Sequence, residues 1–493
     1  MAGKAMTRTI PGAAAFDGRR VGVLGLGMSG RASLEALRQH TGAVLSAWDA
    51  KPEARSAYSE LEGIADPDPT CLMDALLGWN PDLVIIAPAF RQTGPEWAAL
   101  RSAGIEVWSE IELAWHMRAA NDGAFAPWLC ITGTNGKTTT VTMTESILKA
   151  AGLRGRAIGN VGTPAVTAVS DLSDDAPAAF ALELSSFQLA ATYSMEPTAS
   201  ICLNFADDHL EWHGSREEYR KAKARIYHHA HVACLYPVGD ANVQSMVDDA
   251  DVVHGARAIG LSMGVPSVGQ IGFVHDAVAD RAFTANRHVH AEVLFDLADI
   301  EHLAPEGNLP VHIAKDALAA AGLARAIGVE PAAVREGLRS FSGGHHRIET
   351  VAVVDGVRYI DDSKATNAHA AEASVRAIDG AVWIVGGLAK GARFVDLVAK
   401  VKDHLRAVVV IGTDQEPWRE ALDGVGVPVH YVDTDAQAPM NDAVAAASAF
   451  ARSGDTVILA PACASMDQFV SYADRGDKFA AAANELGGGH ADS

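Results

Sequence analysis

At 493 residues, with 49% apolar and 20% charged side chains, the chain has room for about three globular domains and excludes a fibrous or disordered class. A net charge of −21 argues against nucleic acid or an anionic membrane as partner, although a local phosphate cradle is compatible with it. The five cysteines, Cys71, Cys130, Cys202, Cys234 and Cys463, are scattered and odd in number, as expected of reduced thiols rather than a disulfide framework or zinc site. No signal-like segment opens the chain and no apolar run reaches 18 residues, so a cytoplasmic protein is expected.

In chain order, Arg20-Val21-Gly22-Val23-Leu24 reads as a strand leading into Gly25-Leu26-Gly27-Met28-Ser29-Gly30 and a helix to about His40. A second strand from Val44 to Trp48 ends on Asp49. Gly-x-Gly-x-x-Gly opening a helix, with an acid about twenty residues on, marks a site for phosphates and a ribose. NAD is the default ligand of such a unit, but a stretch of about 120 residues is only half of a full dinucleotide domain. A strand from Asp82 to Ala87 and a helical stretch follow, and Asn121-Asp122-Gly123 is expected to be a linker.

The second segment opens on a buried strand, Pro127 to Thr132, followed by Gly133-Thr134-Asn135-Gly136-Lys137-Thr138-Thr139-Thr140 and a helix. Met143, Ile147, Ala150 and Ala151 share one face of that helix, with Gly152 as its C-cap. The glycines turn backbone N–H groups inward, the helix start adds its positive end, and Lys137 adds a full charge. Thr138 places a hydroxyl where a nucleotide's Mg²⁺ needs one. The spacing is shorter than the general phosphate-loop pattern, and a plain strand–helix turn holding a lysine is the simpler alternative. Asn160 lies in a polar turn, and the apolar strand 178–184 carries one acid, Glu183, best explained as a metal ligand. After the strand 199–204 comes His209, which by itself reads as a surface-loop histidine.

Ser215 and Glu218 form a capping box for a helix to about Tyr227. At 100° per residue, Tyr219, Ala222, Lys223, Ile226 and Tyr227 share one face, with Lys221 and Arg225 opposite. Lys223 therefore projects inward, where a lysine shifts its pKa readily and is commonly chemical, unless its head snorkels to water. Residues 250–308 hold short strands and turns without a motif, and an alanine-rich helix runs from Pro310 to Ala326. From Gly343-Gly344-His345-His346-Arg347 onward, strands at 357–361, 381–385, 407–411 and 456–460 alternate with helices as a second doubly wound unit. Its polar turns, 361–367, 386–391 and 461–465, follow strand ends, the ligand-binding edge of an open parallel sheet.

Taken together, these motifs resemble the Mur ligases of peptidoglycan synthesis over nearly the whole chain, least around residues 250–308. The specific pieces are residues 133–140, Leu182-Glu183-Leu184-Ser185-Ser186-Phe187-Gln188, Lys223-Ala224-Arg225-Ile226-Tyr227, Asp362-Ser363-Lys364-Ala365-Thr366-Asn367, and Pro461-Ala462-Cys463-Ala464-Ser465-Met466-Asp467-Gln468-Phe469. The last two are similar to the D-glutamate-adding branch, and no Asp-Asn-Pro-Arg run of the diaminopimelate- or lysine-adding branches is present.

The resemblance implies an α/β protein of three domains. Residues 1–122 would form a Rossmann-like UDP-sugar-binding domain. Residues 123–343 would be a central P-loop domain with a mostly parallel sheet, and 344–493 a Rossmann-like domain for the incoming amino acid. It implies a monomer with ATP, UDP-N-acetylmuramoyl-L-alanine and D-glutamate as ligands and no nucleic acid or membrane. It further implies that ATP phosphorylates the alanine carboxylate and that the D-glutamate amine attacks the acyl phosphate. Gly133, Thr134, Asn135, Gly136, Lys137, Thr138 and Thr139 would hold ATP, with Asp362 on the ribose and Lys364 nearby. Arg347 would act on the γ-phosphate. Thr138 and Glu183 would hold one Mg²⁺, and His209 with a carbamylated Lys223 a second. Gly27, Met28, Ser29, Asp49 and Asn160 would contact the UDP substrate. Thr366, Lys390, Ser465, Met466 and Tyr472 would surround D-glutamate.

Three departures from the family pattern stand out: Ile313 at an adenine-contacting asparagine position in His312-Ile313-Ala314-Lys315-Asp316, Ala87-Pro88-Ala89 in place of Ser-Pro-Gly, and Tyr472 in place of Phe. Two other functions compete. A folylpolyglutamate synthetase-like ligase would lack the N-terminal glycine domain, and an NAD oxidoreductase would rest on that domain alone.

Overall fold

Runs of three to seven residues, most of them apolar and many ending at a glycine or polar turn, form the larger sheets of this α/β chain. The structure, a computed structural model, describes residues 8–304, 309–342, 346–389 and 391–488. It divides into two compact units, Met1–Asp299 with Lys315–Phe341, and Ile300–Ala314 with Ser342–Ser493.

In the first unit, β1 (Arg20–Leu24), β2 (Val44–Trp48), β3 (Leu83–Ile86) and β4 (Glu106–Trp108) make a parallel sheet in the order β2-β1-β3-β4. Helix α1 (Met28–His40) follows β1 across the glycine turn and buries Leu34 and Leu37. Gly25 has φ +93°, and a Cβ on Gly30 would lie 1.8 Å from the Gly25 carbonyl oxygen, so neither position admits another residue without displacement. The stretch expected as a linker is instead a hairpin. Ala120–Asn121 pairs with Ala124–Phe125 and with Arg8–Thr9, turning at Asp122 and Gly123, both with positive φ. Asp-Gly is the dipeptide that a two-residue turn of this hand requires.

The same unit carries a nine-stranded sheet. Its strands are β5 (Trp128–Thr132), β6 (Gly155–Gly159), β7 (Ala179–Glu183), β8 (Ala199–Cys202), β9 (Ala233–Pro237), β10 (Arg257–Ser262), β11 (Gln270–Val274), β12 (Ala277–Asp280) and β13 (Glu292–Asp296). Their order is β13-β12-β11-β10-β9-β8-β5-β7-β6. Seven run parallel, and β12 and β13 add an antiparallel meander at one edge. The stretch without a motif thus supplies, between residues 257 and 296, strands that extend the sheet carrying the phosphate loop. Helix α2 (Lys137–Ala150) buries Met143 and Ile147 but leaves Ala150 exposed in its last turn. Cys130, Cys202 and Cys234 lie in this core as free thiols, where burial raises the pKa of Cys202 to about 11 and of Cys234 to about 12.

Two buried acids join the smaller sheet to the larger one. Glu110 accepts the Val166 N–H at 2.6 Å. Glu112 accepts the N–H groups of Tyr193 (2.7 Å) and Ser194 (3.0 Å) and the Ser194 hydroxyl (2.5 Å). Burial pushes the Glu112 carboxyl up, but the hydrogen bonds from His116, Ser194 and the two amides outweigh it and hold its pKa below 4.5. A folded-state pKa below the unfolded one stabilises above that value, and the contribution is lost as the pH falls through the folded pKa. Glu112→Ala should therefore cost about 1–3 kcal/mol at neutral pH, because buried amides lose their acceptor. Its melting temperature should also depend less steeply on pH below 4.5 than that of the parent, and identical acid limbs in thermal melts would contradict this.

In the second unit, β14 (Glu349–Val354), β15 (Val357–Asp361), β16 (Ala381–Gly386), β17 (Leu405–Ile411), β18 (Val429–Tyr431) and β19 (Thr456–Leu459) take the order β14-β15-β19-β16-β17-β18, antiparallel only between β14 and β15. Trp383 packs on one face with Phe394 and Trp418, while its neighbours Val382 and Ile384 pack on the other with Tyr359, Met440 and Phe479. The sheet is covered on both faces, as a doubly wound fold requires.

Candidate functional site

In the first unit, the residues singled out from the sequence meet at the carboxyl ends of β5, β6, β7 and β8. Gly133 and Gly136 adopt φ +151° and +83°. A Cβ on Gly136 would lie 2.4 Å from a carboxylate oxygen of Asp316, so the loop closes against that acid only as glycine. Lys137 begins α2 and folds back, its Nζ donating to the carbonyls of Gly133 and Thr134, each at 2.9 Å.

Thr138 Oγ1 donates to Glu183 Oε2 at 2.7 Å, and Asn160 Nδ2 donates to Glu183 Oε1 at 2.9 Å. Glu183 is 2% exposed at the end of β7. Thr138, in the first turn of α2, and Asn160, just past β6, thus share the one buried carboxylate of Glu183. A carboxylate and a hydroxyl this close offer the hard oxygen donors that Mg²⁺ selects, so this donor set fits the ion.

Lys223 sits on α3 (Arg216–Ala224), which Ser215 caps by accepting the Glu218 N–H. Tyr219, Ala222, Ile226 and Tyr227 are buried with it, while Lys221 is exposed and pairs with Glu218 at 2.9 Å, as the helical spacing predicts. Lys223 Nζ donates to the Gly133 carbonyl at 2.8 Å and approaches Thr132 Oγ1 at 3.4 Å. Burial first, then the charge of Lys137, pushes its pKa down to about 7.

His209 is half exposed at φ +53°, with Nε2 3.3 Å from Asp208 Oδ2 and its ring edge-on to Phe187. It reaches the same neighbour as Lys223. The Tyr219 ring lies 6.5 Å from the His209 ring and 4.9 Å from Lys223 Nζ. As a free amine or ammonium, Lys223 donates here instead of ligating.

Two residues at this site escaped sequence reading. Asn204 Oδ1 accepts the N–H groups of Thr134 (3.0 Å) and Asn135 (2.9 Å), and its Nδ2 donates to the Asn135 carbonyl at 3.1 Å. It clamps the loop's backbone, and its only sequence signal is an asparagine at a strand's carboxyl end. Tyr219 OH lies 3.3 Å from Thr134 Oγ1, tying α3 to the loop.

At the N-terminal glycine turn, Gly27, Met28 and Ser29 open α1, and Met28 is 73% exposed. Asp49 is buried and accepts the N–H of Leu26 (2.5 Å) and of Lys51 (2.8 Å). Its oxygens brace the loop's own backbone.

In the second unit, Asp362 is buried and accepts the Ser374 hydroxyl at 2.6 Å. Burial raises its pKa to about 7, against the lowering effects of that bond and of the Arg347 charge. The neighbouring Asp361 takes His346 Nδ1 at 2.7 Å. Lys364 Nζ lies 5.2 Å from the centre of the Tyr472 ring. Leu388 and Ala464 exchange backbone hydrogen bonds, drawing the turn after β16 beside the one after β19. Ser465 is buried there, whereas Met466 and Tyr472 are exposed, and Thr366 donates its N–H to the Lys364 carbonyl at 2.9 Å. Lys390 lies outside the described residues.

Residues 131–264 match the Mur ligase middle domain, and residues 346–463 match the Mur ligase, glutamate ligase domain. The UDP-N-acetylmuramoylalanine–D-glutamate ligase of Streptomyces coelicolor is 47% identical over 481 residues, covering 96% of this chain and 99% of that protein. That of Thermobifida fusca is 44% identical with the same coverage. The crystal structure of the UDP-N-acetylmuramate–alanine ligase from Thermotoga maritima superposes with a TM-score of 0.53 at 17% identity, covering 95% of this chain and 99% of the other, which shows the shared fold.

Proposed function

This chain belongs to the Mur ligase family, among its D-glutamate-adding ligases, and from that membership we propose how its side chains divide the ATP-dependent addition of D-glutamate to UDP-N-acetylmuramoyl-L-alanine in peptidoglycan synthesis. The observation that carries the assignment of roles is the meeting of Thr138, Glu183 and Asn160 beside the phosphate loop.

The loop from Gly133 to Thr139 cradles the phosphates, with Asn204 holding the N–H groups of Thr134 and Asn135 in place, and Lys137 turns its ammonium from the Gly133 and Thr134 carbonyls onto the β- and γ-oxygens. Thr138 and Glu183 would hold one Mg²⁺, and His209 with a carbamylated Lys223 would hold a second. When bound, these ions neutralise the charge that builds on the transferring phosphoryl group. A pKa of about 7 leaves much of Lys223 as free amine near neutrality. Its nitrogen lone pair adds to the carbon of CO₂, one N–H proton leaves to solvent, and an anionic carbamate replaces a buried cation.

Asn160 orients Glu183 and the reacting end of the UDP substrate, whose nucleotide rests on Gly27, Met28, Ser29 and the loop braced by Asp49. Arg347 acts on the γ-phosphate, Asp362 on the ribose, and Lys364 beside them. The alanine carboxylate displaces ADP from the γ-phosphorus. The D-glutamate amine then attacks the acyl phosphate and inorganic phosphate leaves. Thr366, Lys390, Ser465, Met466 and Tyr472 hold D-glutamate so that only one enantiomer presents its nitrogen.

The three-domain division at about residues 122 and 343 belongs to this reading, the first unit then containing two domains. So do a monomeric state and a cytoplasmic location. Among the described residues no helix is long and apolar enough to cross a membrane. Phosphate release from ATP, with UDP-N-acetylmuramoyl-L-alanine and a panel of D- and L-amino acids, tests the reading. D-glutamate alone should support turnover, and release driven by an L-amino acid would overturn it.

A further inference from the structure

Arg475 is a charge buried in the second unit. It lies on α4 (Tyr472–Gly488) with 0% exposure, although arginine is almost never fully buried unless paired. Among the described residues no carboxylate comes within ion-pairing distance of it. Its Nε donates to Ser363 Oγ at 2.9 Å, one terminal nitrogen to the Ser363 carbonyl at 2.8 Å, and the other to the Cys463 carbonyl at 3.1 Å. A Cβ on Gly387, at φ +121°, would lie 3.3 Å from that last nitrogen. Ser363 Oγ in turn donates to the Tyr472 carbonyl at 2.7 Å, which locks the first turn of α4 to the same point.

One planar guanidinium therefore joins the turns after β15 and β19 and packs on the turn after β16. Those turns carry Lys364 and Thr366, then Ser465 and Met466, and Tyr472 stands one turn before Arg475 on the same helix. Burial lowers its pKa to about 10, which still leaves it charged at neutral pH. An apolar side chain of similar volume could fill such a position with little loss of stability, so a retained buried cation calls for another reason. A lysine could not replace the fork, since its ammonium is one point with no fixed plane.

We propose that Arg475 is a positioning residue for D-glutamate, setting the separation of the Ser363, Gly387 and Cys463 turns so that the donors they carry fit both carboxylates of the amino acid. This rests on the placement of D-glutamate at those turns.

The test compares Arg475→Lys and Arg475→Met in the full chain, assayed well below their melting temperatures, with Ser465→Ala as a check on the placement itself. Both Arg475 variants should raise the D-glutamate KM by about tenfold or more, the loss expected when one charged hydrogen bond to the ligand is misaligned. The KM for the UDP substrate, which binds in the other unit, should stay within about twofold, a shift of under half a kcal/mol. A purely structural role would instead lower the active fraction and leave every KM alone. If neither Arg475 variant folds, Ser363→Ala, which removes one buried oxygen from the clamp, decides in the same assay and should also raise the D-glutamate KM. An unchanged D-glutamate KM in the folded variants, with Ser465→Ala impaired, overturns the role of Arg475. An unchanged KM in Ser465→Ala as well refutes the placement of the amino acid, and the role of Arg475 with it.

Discussion

Lys137→Ala should lower ATP turnover by about a thousandfold or more, the ~4 kcal/mol expected when a charge aimed at a transferring phosphoryl group is removed. The fold should survive, because the lysine is only half-buried and its hydrogen bonds to the Gly133 and Thr134 carbonyls stay within its own loop. Each, with a charged donor, is worth about 1.5–3 kcal/mol net when buried, and at this half-buried position water replaces much of that. With units of this size the melting temperature should fall by roughly 2–4 °C per kcal/mol at most. Phosphate release and thermal melting of one preparation separate the two effects. Turnover within tenfold of the parent would make the loop structural, and a large drop in melting temperature would place Lys137 in the fold.

Lys223→Ala should be inactive, while Lys221→Ala, two residues along, should be nearly normal. The contrast follows from helical geometry: Lys223 is 2% exposed beside the phosphate loop, whereas Lys221 pairs with Glu218 in solvent, where water screens the contact. Acetate or formate should restore part of the Lys223→Ala activity by supplying the carboxylate that the carbamate would provide. With its folded pKa near 7, the amine of the parent becomes available as the pH rises through 7, so activity in CO₂-depleted buffer should recover with bicarbonate most strongly above that pH. Because this folded pKa lies below the unfolded 10.5, the unfolded chain binds the extra proton between those values. Stability from this group therefore rises with pH across that window. Equal damage at both lysines would defeat the facial argument. Failure of both rescue and bicarbonate dependence would remove the carbamate.

The chain by itself determined whatever depends on near neighbours along the backbone. Helical periodicity placed Lys223 inward and Lys221 outward, since 100° per residue is a local property of the backbone. Glycines at 25, 133 and 136 announced turns whose positive φ any fold would have to respect. Many of the parallel strands, such as those at 20–24, 128–132, 179–183 and 381–386, were visible as apolar runs, and Glu183 stood out because an acid inside such a run needs a partner.

Tertiary structure decided what depends on which strand lands beside which. Asn204 holds the phosphate loop only because β8 pairs with β5, some seventy residues away in the chain. Arg475 finds Ser363 across 112 residues. Glu112 meets Tyr193 and Ser194 only because their two sheets pack together. Asp49, legible as a ribose acid, is turned back onto Leu26 N–H by the close approach of β2 to the glycine turn. Residues 257–296, in a stretch without a motif, became an edge of the sheet carrying the phosphate loop because strand pairing is a contact the local sequence does not record. A polar side chain's partner is set by that pairing, and its own neighbours in sequence carry no record of it.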